Sequence, residues 1–178
     1  MCILLNKMEA VAKIDGKLKG ELLFTQSRPG ALVHIRGRIC GWSTEDIGEH
    51  GIHVHEGNTL PRPGEEWEGP LCCGKGLGAH FNPYKRQHGG PQDQERHVGD
   101  LGNILVKKLC KDCKTWCSEV NIKDSVITLD RSSPACILDR GMVIHSGRDD
   151  LGRGGNKESL KTGNAGSRIG WGIIRSTK

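Results

Sequence analysis

Apolar residues recur at every second position in eight short runs of this chain, and that alternation limits what it can fold into. The runs cover residues 8–15, 18–24, 31–39, 51–56, 101–108, 119–129, 141–146 and 168–174. A period of two sends successive side chains to opposite faces, so each run reads as a strand with one apolar face. Gly, Pro and Ser separate the runs, and no segment carries the 3.6-residue period of a long helix. Gly 26 and an aromatic fraction of 4% suit many turns around short strands better than a helical bundle. A length of 178 residues predicts one domain with a full core, with residues 1–8 as an N-terminal extension.

Charge and hydropathy exclude some functions. No run of 18 apolar residues occurs, so no membrane-spanning helix is expected. The start, MCILLNK, is short and lacks a basic n-region and an A-x-A-like cleavage site. It does not read as a signal peptide, and a cytoplasmic protein is expected. The net charge is +5, but Lys and Arg are dispersed among acids, so no nucleic-acid partner is expected. The bland reading of that charge is a solvated surface; the sharper one is a field that draws in a small anion. Eight cysteines, Cys2, Cys40, Cys72, Cys73, Cys110, Cys113, Cys117 and Cys136, offer no unique pairing by spacing.

Two glycine-rich stretches, 56–92 and 146–167, have neither period. Structureless loops longer than about 12–15 residues in a compact domain are usually functional or disordered. Metal-ligand residues lie in and beside these two. His53 and His55 stand at i and i+2, which puts both imidazoles on one strand face and Val54 on the other. Alone, such a pair would equally fit two solvent-facing histidines. The segment 80-HFNPYKRQHGGPQDQERHVGD-100 adds His80, His88, His97 and Asp100, an N₃O set that suits tetrahedral zinc. His145 ends the run 141-GMVIH-145, a position more often structural than ligating. Together His53, His55, His80 and His145 would make an all-imidazole site, which suits Cu(II). If His80 serves both sites, it must do so as a bridging imidazolate.

With these residues in view, the chain closely resembles the Cu,Zn superoxide dismutase family over residues 9–174. The motifs are GIHVHE, GAHFNP, HGGP, RHVGDLGN, KDSVITL, DDLGRGGN and KTGNAGSR. The resemblance, backed by the strand count, implies an all-β fold: an eight-stranded Greek-key barrel or flattened, immunoglobulin-like sandwich with two long loops. It implies copper on His53, His55, His80 and His145, and zinc on His80, His88, His97 and Asp100. It implies that Asp149 ties a copper histidine to a zinc histidine and that Arg168 holds the superoxide anion beside copper. By the same resemblance, Thr162 is expected to narrow the channel opposite Arg168, and Glu158 and Lys161 to form its charged rim. The implied reaction converts two superoxide anions and two protons to dioxygen and hydrogen peroxide, with copper cycling by one electron and His80 gaining and returning a proton. A copper chaperone is an expected partner. The alternative is a dismutase-like copper-binding or chaperone-type protein with little activity, in which cysteines 72–73 and 110–117 pass Cu(I).

The chain also departs from that family. The family ties its first long loop to the last strand through a cysteine, and here that position is Trp171. Cys72 or Cys73 would be the loop partner, so either Trp171 packs against the loop or that cysteine pairs elsewhere. The run 110-CKDCKTWC-117 reads as an elongated strand connection, with an added metal or redox site as the alternative. Lys157 stands where many members are acidic, and Ser146 replaces the usual acid or alanine, so the channel mouth is more positive. The first loop carries an insertion, 59–78, and Asp139, Arg175 and Ser176 occupy positions where small or apolar residues are usual. Charge is depleted from interface cores, so a monomer, or a dimer built differently, is expected.

Overall fold

Each alternating run forms a strand, and the strands close on themselves. The computed structural model describes residues 7–60, 76–110 and 114–177. Within them lie β1 (Met8–Gly16), β2 (Lys19–Gln26), β3 (Val33–Trp42), β4 (Gly48–His55), β5 (Asp100–Cys110), β6 (Thr115–Asp124), β7 (Gly141–His145) and β8 (Arg168–Ser176). They pair in the order β1-β2-β3-β6-β5-β4-β7-β8, and β8 returns to β1, giving a closed barrel. All of the pairings are antiparallel. The crossovers from β3 to β4 and from β6 to β7 give the Greek key, and closure leaves no strand edge unpaired.

Alternation decides what fills the barrel. Ala10, Ala12 and Ile14 of β1, Leu22 and Phe24 of β2, and Val33, Ile35 and Ile39 of β3 point inward and are buried. Intervening residues such as Lys13, Glu21 and Arg38 face solvent. β4 and β7 differ, because nearly every residue in them is buried. Ile52 and Val54 of β4, with Met142 and Ile144 of β7, join the barrel core. Their alternate neighbours His53, His55, Val143 and His145 lie on the outer face and are buried there, beneath the two long loops. Val143 joins a second apolar cluster with Leu77, Ile173 and Trp171.

The strand boundaries shift where side chains intervene. β6 begins at Thr115 and ends at Asp124, so residues 125–129 leave the sheet. Asp124 Oδ1 accepts the N–H groups of Val126 and Ile127 at 2.7 and 3.0 Å, which turns the chain. The second loop contains one short helix, α1 (Ser159–Thr162), ended by Gly163 at φ 67°. No helix among the described residues is long and apolar enough to cross a membrane.

The cysteines correct one expectation. Cys40 of β3 faces Cys117 of β6 in register, and the two form a disulfide. Cys110 is also disulfide-bonded. β5 runs to Cys110, which pairs with Thr115 at the start of β6, and Cys110 and Cys117, both in disulfides, offer no free thiolate for an added metal site. Cys136 is a free, half-buried thiol. Cys2, Cys72, Cys73 and Cys113, and residues 61–75 of the insertion, lie outside the described residues.

Candidate metal centre

The outer face of β4 carries the first two ligand residues, and the loop that follows β4 folds back to deliver the third. Phe81 donates its N–H to Val54 at 2.8 Å, Glu56 donates to Ala79 at 2.9 Å, and His80 pairs with His55 across a short bridge. The chain crosses β4 again at Gly99, whose carbonyl accepts the Val54 N–H at 2.9 Å. A Cβ at Gly99 would strike the Val54 carbonyl, so only glycine permits this approach. His145 arrives from the end of β7.

The hydrogen bonds these rings make fix their tautomers. His53 Nε2 donates to Asp149 Oδ2 at 2.7 Å, His55 Nδ1 to the Gly78 carbonyl at 2.9 Å, and His145 Nδ1 to the Gly166 carbonyl at 3.1 Å. Carbonyl and carboxylate oxygens only accept, so those nitrogens carry the protons and the opposite ones present lone pairs. Seven buried side-chain nitrogens and oxygens lack a hydrogen-bond partner among the described residues. Four of these nitrogens converge on one point: His53 Nδ1, His55 Nε2, His80 Nε2 and His145 Nε2. Leaving one such group unsatisfied costs about 1–3 kcal/mol, so converging several in one place needs a compensating cation. One ligand atom each from His53, His55, His80 and His145 lies within 4.8 Å of the others.

A second group adjoins the first. Asp100 Oδ1 lies 2.8 Å from His80 Nδ1, 3.0 Å from His88 Nδ1 and 3.1 Å from His97 Nδ1. In a tetrahedral zinc site with bonds of about 2.0–2.1 Å, ligand atoms stand roughly 3.3 Å apart, so this spacing is close to that of a filled site. The other oxygen, Oδ2, is held by the N–H groups of His97 at 2.8 Å and Gly89 at 3.2 Å. His80 thus has Nδ1 in one group and Nε2 in the other. The donor sets fit one imidazole-bound and one N₃O-bound cation sharing that ring.

Comparison with known proteins agrees with this geometry. A sequence description of copper/zinc superoxide dismutase matches residues 18–174. This chain belongs to the copper/zinc superoxide dismutase family. It is 44% identical over 172 residues to the copper–zinc superoxide dismutase 5 of Dictyostelium discoideum, covering 96% of this chain and 99% of that one. It is 39% identical over 168 residues to a copper–zinc superoxide dismutase of Cryptococcus neoformans var. grubii, covering 94% of this chain and 96% of that one.

Electrostatics divide this dismutase-family site into a half of neutral rings and a half that pairs a carboxylate with a protonated ring. Burial, reinforced by the charge His80 would carry, holds His53 and His55 well below the ordinary histidine range. Burial also lowers His80, though Asp100 opposes it. His145 is pushed down to about 3 by burial, with His80 adding to the effect. These rings stay neutral at pH 7. For Asp100, burial opposes ionisation, but hydrogen bonds from His80, His88 and His97 outweigh it and hold the carboxyl well below its usual range. Burial likewise opposes charge on His88, yet Asp100 and Asp149 raise it to about 9 in the metal-free protein. A dication on the N₃O side would replace that proton.

The structure places the remaining expected residues as follows. Asp149 is fully buried and joins the two halves, taking His53 on Oδ2 and His88 on Oδ1 at 2.8 Å. Asn103 grips the Asp149 backbone on both sides, at 2.8 and 2.9 Å. Arg168 pairs in register with His145 and donates to the Gly78 carbonyl at 2.5 Å. Thr162, on α1, donates to Glu158 Oε1 at 3.0 Å. Glu158, Lys161 and Lys157 are exposed at the surface of the second loop. Asn103, Gly78 and Gly163 shape the site although the sequence motifs do not reveal their roles. His50 is a further omission: its Nε2 lies 2.8 Å from the Asp46 carbonyl and its Nδ1 3.2 Å from that of His145. The signal was a polar residue in phase with Ile52 and Val54, on the core face of the strand.

Proposed function

We propose that this chain disproportionates superoxide to dioxygen and hydrogen peroxide, with His53, His55, His80 and His145 holding copper and His80, His88, His97 and Asp100 holding zinc. One observation carries the reading: the buried His80 ring turns a separate nitrogen into each of two ligand groups. When bound, copper supplies one-electron redox chemistry and zinc supplies fixed positive charge. The residues do the rest. Asp100 and the surrounding rings hold the Nδ1 side of His80, so a proton gained by that ring resides on Nε2, at the centre of the site. Asp149 keeps His53 and His88 in fixed orientation, so loss or gain of that proton moves little else. Arg168, permanently charged, supplies a cation and donors for a small anion. Burial keeps bulk water from the proton-carrying nitrogen.

The test is metal content together with superoxide decay. One copper and one zinc per chain with rapid decay, lost in His145→Ala along with copper but not zinc, is the expected outcome. Metal binding without superoxide decay would favour a copper-binding protein instead. That alternative is weakened because Cys110 and Cys117 are disulfide-bonded and offer no thiolate for Cu(I).

The proposed protein is a monomer, or a dimer that does not use the end of β8. Asp139 accepts from Arg131 at 2.9 Å and from Arg175 at 2.7 Å, which makes that end a charged surface. Light scattering showing a tight dimer abolished by changes at Arg175 would overturn this.

A further inference from the structure

β8, Arg168–Ser176, contains no cysteine, so no disulfide can tie it to the first loop. Yet the first loop must be held, because two functional side chains depend on one of its carbonyls. Gly78 accepts from Arg168 at 2.5 Å and from His55 Nδ1 at 2.9 Å. It does so at φ 69°, a conformation that suits glycine.

What holds Gly78 is its neighbour. Leu77 is completely buried against Val143 of β7 and Ile173 of β8, with the Trp171 ring packed on that cluster. The fit leaves no slack. A Cβ at Gly141 would strike Leu77, and one at Gly16 would come within 2.9 Å of the Trp171 ring. The Leu77 carbonyl accepts the Gly57 N–H at 2.7 Å, and Gly57 in turn accepts from Gly141 at 2.8 Å. Side chain and backbone of Leu77 are thus both fixed to the barrel wall, one residue away from the carbonyl that holds Arg168 and His55.

We propose that Trp171 and Leu77 form an apolar latch that positions Arg168 and His55 through the Gly78 carbonyl. Both are positioning residues, and neither touches the reacting atoms. Because the latch contains no sulfur, the anion site keeps its shape whatever the redox state of the cysteines. The inference rests on the dismutase reading for its functional consequence, but not for its structural content.

The experiment separates the two. In the full-length metal-free protein, hydrogen exchange at the Gly57 amide reports whether Leu77 is seated. Trp171→Ala and Leu77→Ala should each speed that exchange at least tenfold while leaving β2 and β3 amides protected. Trp171→Phe should stay near the parent, and treating the parent with a thiol reductant should leave Gly57 protected. In the copper- and zinc-loaded protein, azide serves as the anion probe. Both alanine variants should bind it about tenfold more weakly at unchanged metal content, with Trp171→Phe restoring affinity. If Trp171→Ala does not fold, Leu77→Val supplies a graded loss in the same two readouts. Unchanged Gly57 exchange in the alanine variants, or loss of protection on thiol reduction, overturns the latch. Faster exchange with unchanged azide affinity overturns only the assignment of Arg168 as anion holder.

Discussion

Gly163 lies flat against the Asp149 carboxylate. At φ 67° it ends α1, and a Cβ built there would overlap Asp149 Oδ1 and sit 2.5 Å from His88 Nε2. The residue is therefore part of the support for the link between the two halves of the centre. Gly163→Ala should displace Asp149 from His88 and lower zinc affinity by about 10–100-fold, the usual effect of losing such a support. Chelator competition on purified protein measures it. An alanine variant with parental zinc affinity would show that the loop can shift without disturbing the bridge.

Proton uptake should shape the stability of the metal-free protein. His145 titrates near 3 when folded, against about 6.5 for an ordinary histidine. Between those values the unfolded chain binds a proton that the folded chain refuses, so stability falls as pH drops below about 6.5. His53, His55 and His80 act in the same direction. His88 acts oppositely: raised to about 9, it contributes stability that is full below about 6.5 and is lost as pH rises through 9. Urea midpoints of metal-free protein should therefore peak near neutrality and fall on both sides. A midpoint that holds steady from pH 6.5 to 5 would contradict the buried, neutral rings.

Lys157, Glu158 and Lys161 are exposed on the second loop, and under the proposed dismutase function they rim the approach to Arg168. A net positive mouth should speed anion capture, and added salt should screen the effect. Lys157→Glu is expected to slow superoxide decay at low ionic strength and to converge with the parent at high salt. Parallel salt curves for the two proteins would remove Lys157 from the steering field.

The Cys40–Cys117 disulfide closes a separation of 77 residues between adjacent strands. Cross-links over loops of this length are worth up to about 4 kcal/mol, chiefly by restricting the unfolded chain. Replacing Cys40 and Cys117 by serine together should lower the urea midpoint accordingly while leaving metal content intact. Loss of copper in that variant would show that β3 and β6 brace the centre directly.

Legibility in the sequence followed how local each feature is. Alternation is a property of neighbouring residues, so the eight strands could be placed within a few positions, and His53 with His55 fell on one face without reference to anything distant. The end of β6 could not, because the Asp124 carboxylate capping Val126 and Ile127 outweighs the apolar pattern that runs on to Leu129. The partnership of Cys40 with Cys117 depends on strand register across half the chain, which spacing cannot supply. His50 stood outside the alternating run 51–56, and its place between two carbonyls depends on the fold. The packing of Trp171 on the cluster that holds Leu77 depends on tertiary contacts, and the pairing of Cys72 and Cys73 lies outside the described residues.

β4 divides its labour residue by residue, Ile52 and Val54 inward, His53 and His55 outward. A slip of one position along β5 or β7 would exchange the two sets, sending imidazoles into the oily interior and scattering the donors. Metal capture is therefore a proofreading step: only a chain whose strands have aligned correctly can present a cage, and ions retained after dialysis mark the molecules that folded without error.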